Sequence, residues 1–203
     1  MQHSPRHLEG LARQIHEETG AEAPIDAFVL AEACGLTLRP WSKAHAEIDL
    51  DAAVIRYPSR VRSERMHFRV GHELGHAVLV RAGESDQDES DVDYLASALL
   101  LPRARFLADL EETDWNLFEL LERHPNVSAE MLVVRMTQVS PATASVWDGG
   151  HLHAVYGADD AAGDAELVGR VLEVEVPVRD AGVAAWPMFD GSFRRVVVVR
   201  RAA

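Results

Sequence analysis

Apolar residues recur at Leu8, Leu11, Ala12 and Ile15, a spacing of three and four that puts them on one helix face, and Gly20 follows as a stop. Pro24-Ile25-Asp26 opens a second predicted helix that ends near Gly35. From Leu36 to Arg39 the chain alternates as a short strand does, and Ala52–Tyr57 forms a second strand stopped by Pro58. The helical period returns over Glu64–Arg81 and again over Asp91–Leu101, closed by Pro102. Two more helices are predicted at about 103–123 and 128–139, the last with Ser128 as its N-cap.

After Pro141 the pattern changes. Ala144–Trp147 and Leu152–Tyr156 flank Asp148-Gly149-Gly150 as the arms of a hairpin. Leu167–Val176 and Phe193–Arg200 read as further strands, and Gly157–Asp164, small and acidic, as a loop. The predicted class is α+β. A mainly helical domain with a small sheet spans 1–140, and a β-rich C-terminal extension spans 141–203. About sixty residues can fold alone only marginally, so the extension either does so or docks on the first part.

Composition narrows the function. The chain has 203 residues, 47% of them apolar and 26% charged, an ordinary globular balance that supports a buried core. Its formal charge of -13 works against nucleic-acid binding, which draws on Lys and Arg displacing counterions from phosphates. Direct contact with DNA or RNA is therefore not expected. Cys34 is the single cysteine, so neither an intrachain disulfide nor a Cys-rich metal site is available, and it reads as a small buried hydrophobe. The start, Met1-Gln2-His3-Ser4-Pro5-Arg6, leads into no long apolar run, and no stretch reaches the roughly 20 apolar residues of a spanning helix. The expected compartment is the cytoplasm, away from any membrane.

The chemistry concentrates in His72-Glu73-Leu74-Gly75-His76. Residues four apart on a helix share a face, so His72 and His76 can present two imidazoles to one ion. Zinc takes nitrogen ligands, and a catalytic site keeps three protein ligands and a water. Glu73, beside the first histidine, can reach that water and take its proton as general base. Gly75 lets another segment approach closely. A third ligand is sought in the acidic run Glu84–Asp93, most of whose carboxylates read as a solvated linker. Glu89 stands out by position, four residues before Asp93 at the start of the next helix. Glu89 can then ligate the metal while Asp93 accepts a hydrogen bond from the outer nitrogen of a ligating histidine and fixes its tautomer. A calcium loop on Asp86, Asp88 and Ser90 is a weaker rival, since Asp91 stands where such a loop needs glycine.

The stretch from Arg65 to His76 resembles the ImmA/IrrE metallopeptidases, whose motif runs through an aromatic and a small residue into His-Glu-Leu-Gly-His. That family's second signature begins at a glutamate and ends in Leu-Leu-Met-Pro. Here it reads from Glu89 to Leu99-Leu100-Leu101-Pro102 with matching order and spacing. Ala23-Pro24-Ile25-Asp26, Leu30-Ala31 and Gly35-Leu36 fit upstream, and the resemblance covers about residues 6–140. Gly71, Val92, Leu95 and Leu101 depart from the usual Ala, Ala, Phe and Met, and none of these changes removes a ligand. The resemblance implies a gluzincin-like helical fold with a small sheet and one zinc per chain on His72, His76 and Glu89. It also implies cleavage of a specific regulatory protein, commonly a DNA-binding repressor.

Other residues read as structural. His151 and His153 share a strand face and look solvent-exposed, and His67 and His124 are single histidines beside or between helices. Tyr57, Tyr94, His124 and Tyr156 are candidates for stabilising an oxyanion, with no ground for choosing among them. Asp114–Val139 resembles a helix-turn-helix, but residues 103–140 hold four arginines against seven acids, which suits a packing pair or a seat for a protein substrate better than DNA. Two functions follow: a zinc endopeptidase, or a regulatory module that retains the metal site and binds a partner or ligand through its β-rich tail.

Overall fold

A computed structural model describes residues 3–60, 63–157, 164–180, 182–190 and 193–201. The chain forms two compact units, Met1–Ser128 and Ala129–Ala203.

In the first unit, α1 (Pro5–Thr19) starts where the Ser4 side chain accepts from the His7 N–H, and it ends at Gly20 in the left-handed conformation. Leu8, Ala12 and Ile15 form its buried stripe. Asp26 caps α2 (Ala27–Ala33) by accepting from the Phe28 and Val29 N–H groups. The small sheet has the order β1 (Thr37–Trp41), β3 (Val54–Pro58), β2 (Glu47–Asp49), with β1 parallel and β2 antiparallel to β3. Then come α3 (Ser63–Arg81), α4 (Glu89–Leu100), α5 (Arg103–Glu112) and α6 (Leu117–Arg123). Val70, Leu74, Leu79, Leu95, Leu99, Phe106 and Leu120 are sealed in the core of this unit.

One helix expected over 103–123 is two. Asp114 and Trp115 take positive φ values of 47° and 63°, breaking the helix, and Asn116 restarts it by accepting from the Phe118 N–H. Cys34 caps α2 and is half-buried rather than buried; loss of solvation pushes its thiol up, so it is a poor nucleophile.

The second unit begins with α7 (Ala129–Val139), a helix expected to end the first domain. Five antiparallel strands follow in the order β5 (His151–Tyr156), β4 (Thr143–Asp148), β8 (Phe193–Arg200), β7 (Val183–Asp190), β6 (Val178–Asp180). The stretch Leu167–Val176, expected as a strand, is instead helical: α8 spans Asp164–Val174. Its valines suggest a strand, but Val168 and Val171 are three apart, flanked by Leu167 and Leu172, and these four face one core with Trp147, Ala185, Val196 and Val198. Asp164 and Glu166 in its first turn also suit a helix N-terminus. The loop expected over 157–164 falls largely on 158–163, outside the described residues.

Candidate metal centre

Helices α3 and α4 pack through small residues. A Cβ on Gly75 would stand 3.2 Å from both Val92 Cγ1 and the Val92 carbonyl oxygen, and one on Gly71 would stand 3.0 Å from Leu100 Cδ1. Glycine at these positions lets α4 lie close along α3, and that approach carries the start of α4 to the two histidines.

His72 and His76 project from α3 one turn apart, their Nε2 atoms separated by 3.3 Å. Glu89, the first residue of α4, places Oε2 3.2 Å from His72 Nε2 and 3.9 Å from His76 Nε2. Ligands about 2.0–2.1 Å from a tetrahedral ion stand about 3.3 Å from each other, so two edges of this triangle match and the third is slightly wide. It is the one group of three or more such side chains among the described residues that could hold a metal ion.

The outer nitrogens also have partners. Asp93, one turn on from Glu89, places Oδ1 2.8 Å from His72 Nδ1. This bond, more than any other influence, makes the His72 ring easier to protonate; burial opposes it, and the charges of Asp93, Glu73 and Glu89 assist. Asp86 in the loop before α4 places a carboxylate oxygen 3.3 Å from His76 Nδ1. Sequence reasoning weighed Asp86 only for a calcium loop and missed its place beside His76, because nothing in the run Glu84–Asp93 marks it from its neighbours.

Glu73 follows His72 on α3 and is 9% exposed. Burial pushes its carboxyl up, against the pull of His72, His76 and the Ile48 backbone N–H on β2. A carboxylate so placed holds a proton more readily than a solvated one.

The remaining candidates have surroundings of their own. Asp88 caps α4, accepting from the Ser90 N–H and hydroxyl, while Asp91 is buried against His3, so the carboxylates of the acidic run diverge and form no calcium loop. The Tyr94 hydroxyl donates to Glu9 and the Tyr156 hydroxyl to Glu130. Tyr57 packs edge-on against Phe28. His124 is buried against Asp109, and His67 accepts from the Ala27 N–H at the start of α2. Burial lowers the pKa of both histidines. His151 and His153 are exposed on β5, and His153 lies 3.6 Å from Asp148.

A family model described as the IrrE N-terminal-like domain, of a peptidase class, matches residues 34–137, a span that includes His72, His76, Glu89, Asp93 and Asp86. No curated protein matches the chain. Among solved structures, the chain is similar to a Mycobacterium tuberculosis transcriptional regulator, with a TM-score of 0.71 at 14% identity over 97% of this chain and 76% of that one. At that identity the likeness is one of fold.

Proposed function

The chain belongs to the IrrE N-terminal-like peptidase family, and from that premise we propose that it is a zinc-dependent endopeptidase that hydrolyses a peptide bond in a specific regulatory protein. The observation that carries the reading is the convergence of His72 Nε2, His76 Nε2 and Glu89 Oε2 within 4.8 Å of one another, with Glu73 alongside.

His72, His76 and Glu89 would hold the ion. A zinc ion there would supply Lewis-acid polarisation of the scissile carbonyl and a more acidic water. Glu73 takes the water's proton and delivers it to the leaving amine, a role helped by the burial that raises its proton affinity. Asp93 accepts from His72 Nδ1–H and so selects the neutral tautomer whose bare Nε2 faces Glu89.

The substrate we favour is a DNA-binding repressor, as the sequence resemblance implies, and the transcriptional regulator among its fold neighbours accords with a role in gene control. The formal charge of -13 argues that the chain reaches DNA only through that partner. No helix among the described residues is long and apolar enough to cross a membrane, and we place the protein in the cytoplasm. We assign the peptidase role to residues 1–140 and assign none to the β-rich extension 141–203.

The test is metal content and cleavage together. Wild type should hold about one zinc per chain, His76→Ala and Glu89→Ala should lose it, and Glu73→Gln should keep the zinc and lose cleavage of the partner. A wild type that takes up no zinc when supplied with it sinks the proposal. A second reading, an interaction module without hydrolysis, draws on β5, an edge strand that leaves Leu152 and Val155 exposed by 49% and 39%. It expects Glu73→Gln to behave as wild type in the cell.

A further inference from the structure

The loop between α3 and α4 is held at several points. Gly83, at φ +77°, turns the chain out of α3, and the Glu84 N–H donates to the Leu79 carbonyl at 2.9 Å. The Glu84 carboxylate lies 2.6 Å from His3 Nε2 and 2.5 Å from His7 Nε2. Asp91, 3% exposed, accepts from the His3 backbone N–H at 2.7 Å and lies 2.7 Å from His3 Nδ1. His3 thus grips both ends of the stretch that carries Asp86 and Glu89, and Asp88 anchors its middle as the cap of α4.

Within that braced loop, Asp86 stands to His76 as Asp93 stands to His72. Each imidazole turns Nε2 towards Glu89 and Nδ1 towards a carboxylate. We infer that Asp86 is a positioning residue for His76: it holds the ring by its outer nitrogen so that Nε2 is presented to the metal. The inference rests on the metal-centre reading above. A ring nitrogen that binds a metal carries no proton, so the other nitrogen carries it and needs an acceptor. Asp86 is the carboxylate placed beside that nitrogen, at 3.3 Å, and its negative charge makes Nε2 a better donor to the ion. Its 3.3 Å separation is longer than the 2.8 Å of the Asp93 bond, so its effect is the smaller of the two.

The experiment is a zinc competition titration against a chromophoric chelator on the full chain, with circular dichroism and thermal unfolding of the metal-free proteins as the check of fold. Loss of an outer partner weakens metal binding by about 10–100-fold. Asp86→Ala is expected near the low end of that range, about tenfold, and Asp93→Ala near the high end, about 100-fold. Asp86→Asn keeps an acceptor oxygen and is expected between wild type and Asp86→Ala. If Asp86→Ala binds zinc as wild type does while His76→Ala does not bind it, the inference falls and the metal centre stands. Equal losses in Asp86→Asn and Asp86→Ala would assign the effect to charge alone and overturn the positioning role. If wild type itself takes up no zinc, the metal-centre reading falls and this inference with it.

Discussion

Gly75→Ala tests whether the close approach of α3 and α4 is what builds the site. The added methyl carbon would stand 3.2 Å from Val92 Cγ1 and from the Val92 carbonyl oxygen. Carbon atoms settle at about 3.5–4.0 Å, so the helices must part by roughly half an ångström. Val92 cannot swing aside into solvent, because it is 0% exposed. Replacing glycine inside a helix gains about 1 kcal/mol of helix propensity, and overpacking a core costs about 1–3 kcal/mol. The net is a destabilisation of about 1 kcal/mol. Gly10 on α1 is the control, since a Cβ there meets nothing within 4 Å. Gly10→Ala should therefore keep the propensity gain and stabilise by about 0.5–1 kcal/mol. Urea denaturation of the two metal-free variants measures the difference. Zinc titration gives a second readout, because Val92 sits between Glu89 and Asp93 on α4, and moving it carries both away from His72. Gly75→Ala should bind zinc more weakly than wild type and Gly10→Ala should not. If Gly75→Ala is as stabilising as Gly10→Ala and binds zinc normally, the packing argument is refuted.

Asp109 is 0% exposed, accepts from Arg123 at 2.8 Å and from Arg105 at 3.1 Å, and lies 3.1 Å from His124 Nε2. Burial alone would raise its carboxyl, but the bonds from Arg123 and Arg105 and the charge of His124 outweigh it and hold the pKa below the usual range. Its stabilisation is therefore complete above the unfolded value of about 4 and is lost as pH falls through the lower folded value. Asp109→Asn should cost about 2 kcal/mol at neutral pH and flatten the acid limb of stability against pH; an acid limb as steep as wild type's counts against the assignment. Zinc at about a hundredfold over its Kd should raise the stability of the first unit by about 2.7 kcal/mol, and a chelator should remove that gain. His76→Ala should show neither response, and a zinc-induced rise in that variant would point to a different site.

How much of this was legible in the sequence depended on how local the signal was. Two histidines four apart announce a shared helix face whatever surrounds them, and Gly75 between them announces a close neighbour, which proves to be Val92. The antiparallel hairpin of β4 and β5 was equally local, written in Asp148-Gly149-Gly150. Other elements owe their form to distant partners. Val183–Asp190 is a strand because β8 and β6 flank it, and Pro187 within it argues against a strand when read alone. Glu47–Asp49 is three residues long and polar at both ends, too short to show a period. The helix α8 was misread because its three valines suggest a strand, although Val168 and Val171 are spaced to face one core.

The acidic run shows why the site could be read only in part. Its carboxylates are chemically alike, and a one-dimensional reading can rank them only by spacing. In the fold each has its own partner: Glu84 meets His3 and His7, Asp86 meets His76, Asp88 caps a helix, Glu89 faces both His72 and His76, and Asp91 is buried on His3. The decisive member is the cap. Apolar periodicity starts the helix at Asp91 and reaches Glu89 only by its spacing from Asp93. Asp88 accepts from the Ser90 N–H and starts α4 at Glu89 instead, two residues earlier. Glu89 and Asp93 then lie one helical turn apart on a common face. One points at the inner nitrogens of the histidines and the other at the outer nitrogen of His72. The cap at Asp88 thus sets which carboxylates of the run lie on the helix face turned to His72 and His76.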